Sequence, residues 1–288
     1  MARLRDIFLK RILLIGKNGQ VGWELERTLA SLGELVAYDR TELDLARPDH
    51  IRAVLSDVQP NIIVNAAAWT AVDQAESEEP AATLINAIAP GILAEEAKRL
   101  DALLVHYSTD YVFDGSKASA YIEEDVPHPV NAYGRSKLAG EEAIHAMDCR
   151  YLIFRTSWVY GHRGHNFLKT ILRLAAERDE LRMVADQIGA PTWSRMIAEA
   201  TALCLSRYEN QEGIYHLSAA GKTSWHGFAQ AIVANKKLPA RMIPITTEEY
   251  PLPARRPANS QLDNTRLLTD FGMKLPSWDT QLKLALAG

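Results

Sequence analysis

Tyr133-Gly134-Arg135-Ser136-Lys137 sets a phenol and an amine four residues apart at the start of a helical stretch. That spacing puts both side chains on one helical face. A tyrosine has a pKa of about 10 and is a poor acid or base at neutral pH. A positive charge one turn away favours the phenolate. Lowering the pKa by about three units takes roughly 4 kcal/mol, from lysine and cofactor charge together. So tuned, Tyr133 is a general acid toward a developing alkoxide. Alone, YxxxK is more often an ordinary surface pair. Its companion is Ser108-Thr109-Asp110, directly after an apolar run. A hydroxyl placed there can donate to a substrate carbonyl oxygen and stabilise negative charge. The same triplet is also a common cap or turn.

A third group handles phosphate. Gly16-Lys17-Asn18-Gly19-Gln20-Val21-Gly22 follows one apolar run and opens a helical one, with GxxGxxG spacing. Gly16 allows a tight turn, Gly19 lets the backbone approach a pyrophosphate, and Gly22 lets helix and strand pack closely. The helix start then offers free N–H groups and a positive dipole end. About 20 positions on, Asp39 can accept from an adenosine ribose hydroxyl and favour NAD. Arg40 beside it can pair with a 2′-phosphate. NADPH and NADH therefore both remain candidates. Asn65-Ala66-Ala67-Ala68 follows a further apolar run, where small side chains let a flat cofactor lie close.

These groups need a scaffold that brings strand ends together. The pattern predicts strands over 11–15, 34–38, 61–64, 102–107 and 151–154, alternating with helices over 20–31, 49–57, 80–100 and 133–147. Continuous apolar strands between helices imply βαβ units and a parallel sheet covered on both faces. The fold class is α/β, a Rossmann-type doubly wound sheet with a smaller C-terminal lobe. Residues 1–160 are mainly the dinucleotide-binding domain and 161–288 mainly the substrate lobe, with crossing between them allowed. In the second half, helices are expected over 166–177, 194–208 and 224–235, a strand over 213–217, and a loop over 244–257 with four prolines.

The chain has 288 residues, a net charge of -4 and pI near 6.1, which gives no nucleic-acid footprint. Two cysteines exclude a disulfide framework and fit a reducing compartment. No stretch reaches the roughly 18 apolar residues of a membrane span. The expectation is a cytoplasmic protein, with the first ten residues as an extension ahead of the fold.

The motifs in this order resemble the extended short-chain dehydrogenases. The runs GKNGQVGWEL, IIVNAAAWTAVDQAE, VHYSTDYVFDG, NAYGRSKLAGE, FRTSWVYG and RRPANSQLD are similar to the dTDP-4-dehydrorhamnose reductase family, from Arg11 nearly to the end. The resemblance implies hydride transfer from NAD(P)H to C4 of a nucleotide-linked 4-keto sugar. It implies that Gly19, Gln20 and Val21 bind the cofactor phosphates, with Asp39 at the ribose and Asp44 and Leu45 by the adenine. Ala68, Trp69, Thr70 and Tyr107 would line the cofactor channel, and Thr109, Tyr133 and Lys137 match the catalytic trio. Thr109, Asp110 and Trp158 match substrate-contacting positions; core packing is the alternative for Trp158. Trp69 stands where the family often has a smaller or polar residue. Some members bind Mg2+ through glutamates at a subunit interface. Glu24 matches one such position, but Arg195 stands where an acid can occur, so no metal is expected. The resemblance leaves a homodimer open.

Arg255-Arg256-Pro257 in the proline-rich stretch offers a guanidinium fork to a substrate diphosphate, with Arg256 the first candidate and a structural salt bridge the alternative. Two rivals remain: a non-catalytic regulatory subunit, and a sister reductase or epimerase acting on another nucleotide sugar.

Overall fold

The structure, a computed structural model, describes residues 10–287. The expected N-terminal extension lies, but for Lys10, outside the described residues.

Five apolar runs form strands β1 (Arg11–Ile15), β2 (Glu34–Tyr38), β3 (Ile62–Asn65), β4 (Leu103–Thr109) and β5 (Tyr151–Thr156). They lie in the order β5-β4-β3-β1-β2, all parallel, and the strand Gly213–His216 pairs with the free edge of β5. Successive side chains on a strand face opposite ways. On β1, Ile12 and Leu14 join a core with Leu25, Ile197 and Cys204. Leu13 and Ile15 join a second core with Ile51, Leu55, Leu93 and Ile144. Helices Gln20–Thr28 and Ser194–Arg207 thus cover one face, and Pro48–Val58, Ala89–Arg99 and Ala132–Ala146 the other. This is the doubly wound parallel sheet expected. The chain crosses back into it after residue 160, through a helix and the sixth strand.

The helix expected over 80–100 is interrupted. It runs as Glu79–Thr83, a π-helical turn Leu84–Ile88, and Ala89–Arg99. Pro90 has no N–H, so the carbonyl of Asn86 loses its helical donor and the turn widens. Gly140 packs onto that carbonyl, since a Cβ at Gly140 would lie 2.0 Å from Asn86 O.

A smaller lobe has its own core of Tyr160, Leu168, Ile171, Leu181, Phe228, Ile232 and Leu282. Short strand pairs brace it: Glu180–Val184 with Arg241–Ile245, Val159–Tyr160 with Thr192–Trp193, and Ile188–Gly189 with Thr223–Ser224. The expected loop 244–257 therefore begins inside a strand, with Pro244 opposite Met183. A two-stranded sheet is all edge, so a proline without a donor is tolerated there. Among the described residues, no helix is long and apolar enough to cross a membrane.

Candidate active site

The carboxyl ends of the strands open into a cleft of about 1090 Å³ between sheet and lobe. Most residues singled out from the sequence line it. Gly16, Gly19, Gln20 and Val21 form one end, with Asp39, Asp44 and Leu45 beside them. Ala68, Trp69, Thr70 and Tyr107 line the middle, and Thr109, Asp110, Tyr133, Lys137 and Trp158 the other end. A smaller hollow of about 350 Å³ at the opposite sheet edge, by Asn61 and Arg150, holds none of them.

At the phosphate end, Gly16 has φ +91 and a Cβ there would lie 2.9 Å from Ala67 N. Only glycine fits such a turn at low cost. Gly19 caps the helix Gln20–Thr28 without a side-chain bond, and no acid occupies the first turn. The N–H groups of Gln20 and Val21 are thus left for an anion, as a dinucleotide diphosphate requires. Gly22 is buried and does not line the cleft; a Cβ there would lie 2.0 Å from Gly16 O. Its part is the close crossing of helix and strand, the role its spacing suggested. Asp39 accepts from Thr41 N at 2.8 Å, Thr41 Oγ1 at 2.7 Å and Asn18 Nδ2 at 2.9 Å. The two Thr41 bonds, the hydroxyl's first, hold its carboxyl below the usual range. Arg40 is 85% exposed and lies 3.8 Å from Asp44, free to swing toward a ligand.

At the reactive end, Thr109 terminates β4. Its Oγ1 donates to Asp110 Oδ1 at 3.1 Å and accepts from Tyr111 N at 3.1 Å. The triplet is thus both a cap and a cleft wall. Asp110 is buried and also accepts from Ser157 Oγ at 2.9 Å. Burial pushes its carboxyl up to about 6. Asn131 caps the helix Ala132–Ala146 by accepting from Gly134 N at 2.7 Å, which sets Tyr133 at the helix mouth.

Burial pushes the Tyr133 phenol up to about 12, with a hydrogen bond from Thr109 pulling the other way and the Asp110 charge adding to the rise. Lys137 is not among the groups that set this rise. Its Nζ lies at the base of the cleft, 3.0 Å from His106 Nε2 and 2.6 Å from the Tyr107 carbonyl. Burial draws the amine down to about 8, with Glu141 opposing. Tyr133 therefore holds its proton at neutral pH, the state in which it can give one away.

Trp158 has φ +47, a left-handed backbone costly for a bulky residue. Its ring stacks on Trp225 at 3.6 Å and 3°, and a Cβ on Gly189 would lie 2.4 Å from that ring. Trp225 was not anticipated as a wall of the cleft. Asn86, fully buried behind that wall, was not anticipated either; it accepts from Trp69 N at 2.9 Å and donates to Trp69 O at 3.0 Å and Ser136 Oγ at 3.0 Å. It ties the channel wall to the helix carrying Tyr133.

Arg256 does not line the cleft. Both prongs of its fork go to Asp73, Nη1 at 2.5 Å and Nη2 at 2.7 Å. The structural salt bridge is the arrangement seen, and the diphosphate role expected for Arg256 is corrected. Tyr107 donates to or accepts from Thr201 Oγ1 at 2.8 Å while its ring faces the cleft. Arg195 pairs with Glu199 at 2.9 Å. No group of three or more His, Cys, Asp or Glu suited to a metal occurs among the described residues.

Comparison with known proteins agrees with this geometry. The family described as RmlD substrate binding domain matches residues 10–288. The dTDP-4-dehydrorhamnose reductase of Burkholderia thailandensis is 53% identical over 93% of this chain and 95% of its own. That of Escherichia coli K12 is 44% identical over 96% of both. The crystal structure of dTDP-4-dehydrorhamnose reductase from Bacillus anthracis in complex with NADP superposes with a TM-score of 0.94, at 36% identity, covering 97% of this chain and 99% of that one. Likeness of this extent leads to one conclusion: the chain belongs to the dTDP-4-dehydrorhamnose reductase family.

Proposed function

We propose that this chain reduces the 4-keto group of dTDP-4-dehydro-L-rhamnose to dTDP-L-rhamnose. This is the last step of dTDP-L-rhamnose biosynthesis for cell-surface polysaccharide, and the proposed setting is the cytoplasm. The observation that carries the reading is the half-buried, proton-holding Tyr133 beside Thr109, at the far end of a cleft that begins with an anion-ready helix start. A relative's structure with NADP supports the cofactor, and NADH remains a second donor.

Bound in the cleft, the nicotinamide cofactor supplies the hydride. The protein's own groups do the rest. Thr109 and Tyr133 offer two hydroxyls to one carbonyl oxygen, which polarises it and orients the keto carbon. As negative charge grows on that oxygen, its proton affinity overtakes that of Tyr133, and the phenol gives up its proton. Thr109 has a single hydroxyl proton, which lies on Asp110 until the hydroxyl turns to the substrate oxygen, and the Trp158–Trp225 stack forms a flat wall for the sugar nucleotide. Residues 1–160 are assigned mainly to cofactor binding and 161–288 mainly to substrate binding.

The test is loss of NADPH absorbance at 340 nm with dTDP-4-dehydro-L-rhamnose, with the product identified by mass spectrometry. A regulatory subunit would bind NADPH without turnover. An epimerase would return a keto sugar and leave the absorbance unchanged. Light scattering reads the assembly, for which a homodimer is the proposal.

A further inference from the structure

Behind the cleft wall lies a buried chain of polar groups with fixed directions. Ala67 N donates to Asn65 Oδ1 at 3.2 Å, Asn65 Nδ2 lies 3.1 Å from His106 Nδ1, and His106 Nε2 lies 3.0 Å from Lys137 Nζ. Asn65, His106 and Lys137 are each 1% exposed. The direction starts from a group that can only donate, the Ala67 backbone N–H. Turning the Asn65 amide over would set its NH2 against that N–H. Asn65 Nδ2 therefore donates and His106 Nδ1 accepts. Desolvation holds the ring neutral, with its pKa well below the usual histidine value. A neutral imidazole that accepts at Nδ1 carries its proton on Nε2.

That Nε2–H points at Lys137. An ammonium has three donors and no lone pair, so it would meet the ring donor to donor. A neutral amine has a lone pair for the ring and an N–H for the Tyr107 carbonyl, which lies at 2.6 Å. We propose that Asn65 and His106 are positioning residues that hold Lys137 as a neutral amine in the empty cleft, so that cofactor binding is accompanied by uptake of one proton at Lys137. The proton comes from solvent. A ligand that brings ribose hydroxyls and a diphosphate charge gives the ammonium the acceptors it lacks in the empty cleft. The inference rests on the reading that Lys137 faces bound cofactor.

Other charges near Lys137 do not supply the missing acceptor. Glu141, one turn along, is taken by Arg155 from β5 at 2.9 and 2.6 Å, and by Ser108. Asp110 acts on Tyr133 and Tyr111. On the helices packed alongside, Glu79 is held by Arg135 and Glu76 accepts from Ala132 N. Burial already draws Lys137 down to about 8, and the ring N–H acts in the same direction.

Three measurements on the full chain test this. Nitrogen-15 spectra of histidine-labelled protein should show the Nε2–H tautomer at His106. Carbon-13 ε-labelled lysine should show Lys137 titrating well below an ordinary lysine. Calorimetry of NADPH binding in buffers of different ionisation enthalpy, at a pH above that titration, should show uptake of about one proton per chain. In Asn65→Asp the carboxylate accepts both Ala67 N–H and an Nδ1–H, which reverses the tautomer and turns Nε2 into an acceptor. Lys137 should then titrate about one pH unit higher or more, and the uptake should disappear. An Nδ1–H tautomer in the wild type, or a Lys137 titration near 10.4, overturns the proposal without any variant. So does an unchanged Lys137 titration in a folded Asn65→Asp. If tautomer and titration are as stated but NADPH does not bind, the cofactor reading fails and the assignment of the amine stands.

Discussion

Tyr133 is useful because it is uncomfortable as an anion. Its phenol sits at about 12, far above the working pH, so the proton is in place when the keto oxygen begins to take up charge. Tyr133→Phe is expected to keep the fold and NADPH affinity and to lose roughly 10²-fold or more in kcat, the scale of a lost general acid; stopped-flow turnover beside a binding titration checks it. Asp110 carries a cost of the opposite kind. Its carboxyl at about 6 lies above its ordinary 3.8, so the folded state binds the proton more tightly than the unfolded one. The stability it contributes is complete below pH 3.8 and is lost as pH rises through about 6. Asp110→Asn, neutral throughout, should melt higher than the parent above pH 6, by about 2–4 °C per kcal/mol recovered, and equal it below pH 4. Cofactor choice is a contest between neighbours. Asp39 repels a 2′-phosphate and exposed Arg40 attracts one. The expected NADPH preference is below about 10³-fold in kcat/KM, and Arg40→Ala should shift it toward NADH by roughly 10-fold. An unchanged ratio would show that Arg40 never reaches the ribose.

The elements were legible where a local rule decides them. Strands β1 and β2 fall on the residues expected, because an apolar run bounded by glycine or by polar turn residues suffices to mark a buried parallel strand. The glycine turn and the helix mouth at Tyr133 followed from spacing in the same way. Non-local pairings were not legible. Nothing within 213–217 says that it pairs with β5 rather than inside the smaller lobe, and two-residue strands carry no period at all. Asn86, His106 and Trp225 escaped notice for a related reason. A single polar or aromatic residue in an apolar run acquires a role only from what the fold sets against it. The π-helical turn had two signals, Pro90 inside a helical pattern and Gly140 on the helix that crosses it. The crossing yields a prediction. Gly140→Ala sets a methyl 2.0 Å from a backbone carbonyl that cannot swing aside. It should cost about 3 kcal/mol or more, the upper range for overpacking, and lower kcat by loosening the Asn86 bonds to Trp69 and Ser136. Thermal melts followed by circular dichroism check this, and a loss below about 1 kcal/mol would mean that the helices can slide apart.

At the scale of the molecule, the contacts that tie sheet to lobe include Asn166 Nδ2 to Gln20 Oε1 at 2.9 Å, Arg256 to Asp73, and the Trp158–Trp225 stack. The stack holds a strained backbone, so removing half of it frees Trp158 to relax. Trp225→Ala should lower kcat/KM for the sugar nucleotide by about 3–10-fold, the worth of one aromatic pair, with NADPH affinity unchanged; tryptophan fluorescence reports the change. The sixth strand has a further consequence, felt during synthesis. β5 ends at Thr156, and its partner begins at Gly213. For about 60 codons, roughly 3–12 s at 5–20 residues per second, the nascent sheet has an unpaired parallel edge flanked by apolar faces. Such an edge accepts any extended chain nearby. A ribosome stalled or a message cut in this window would release a fragment that carries the whole phosphate loop and both proton-handling residues, yet has an open seam. Fragments ending near residue 160 should therefore be recovered bound to chaperones or as aggregate, and the full chain as folded protein.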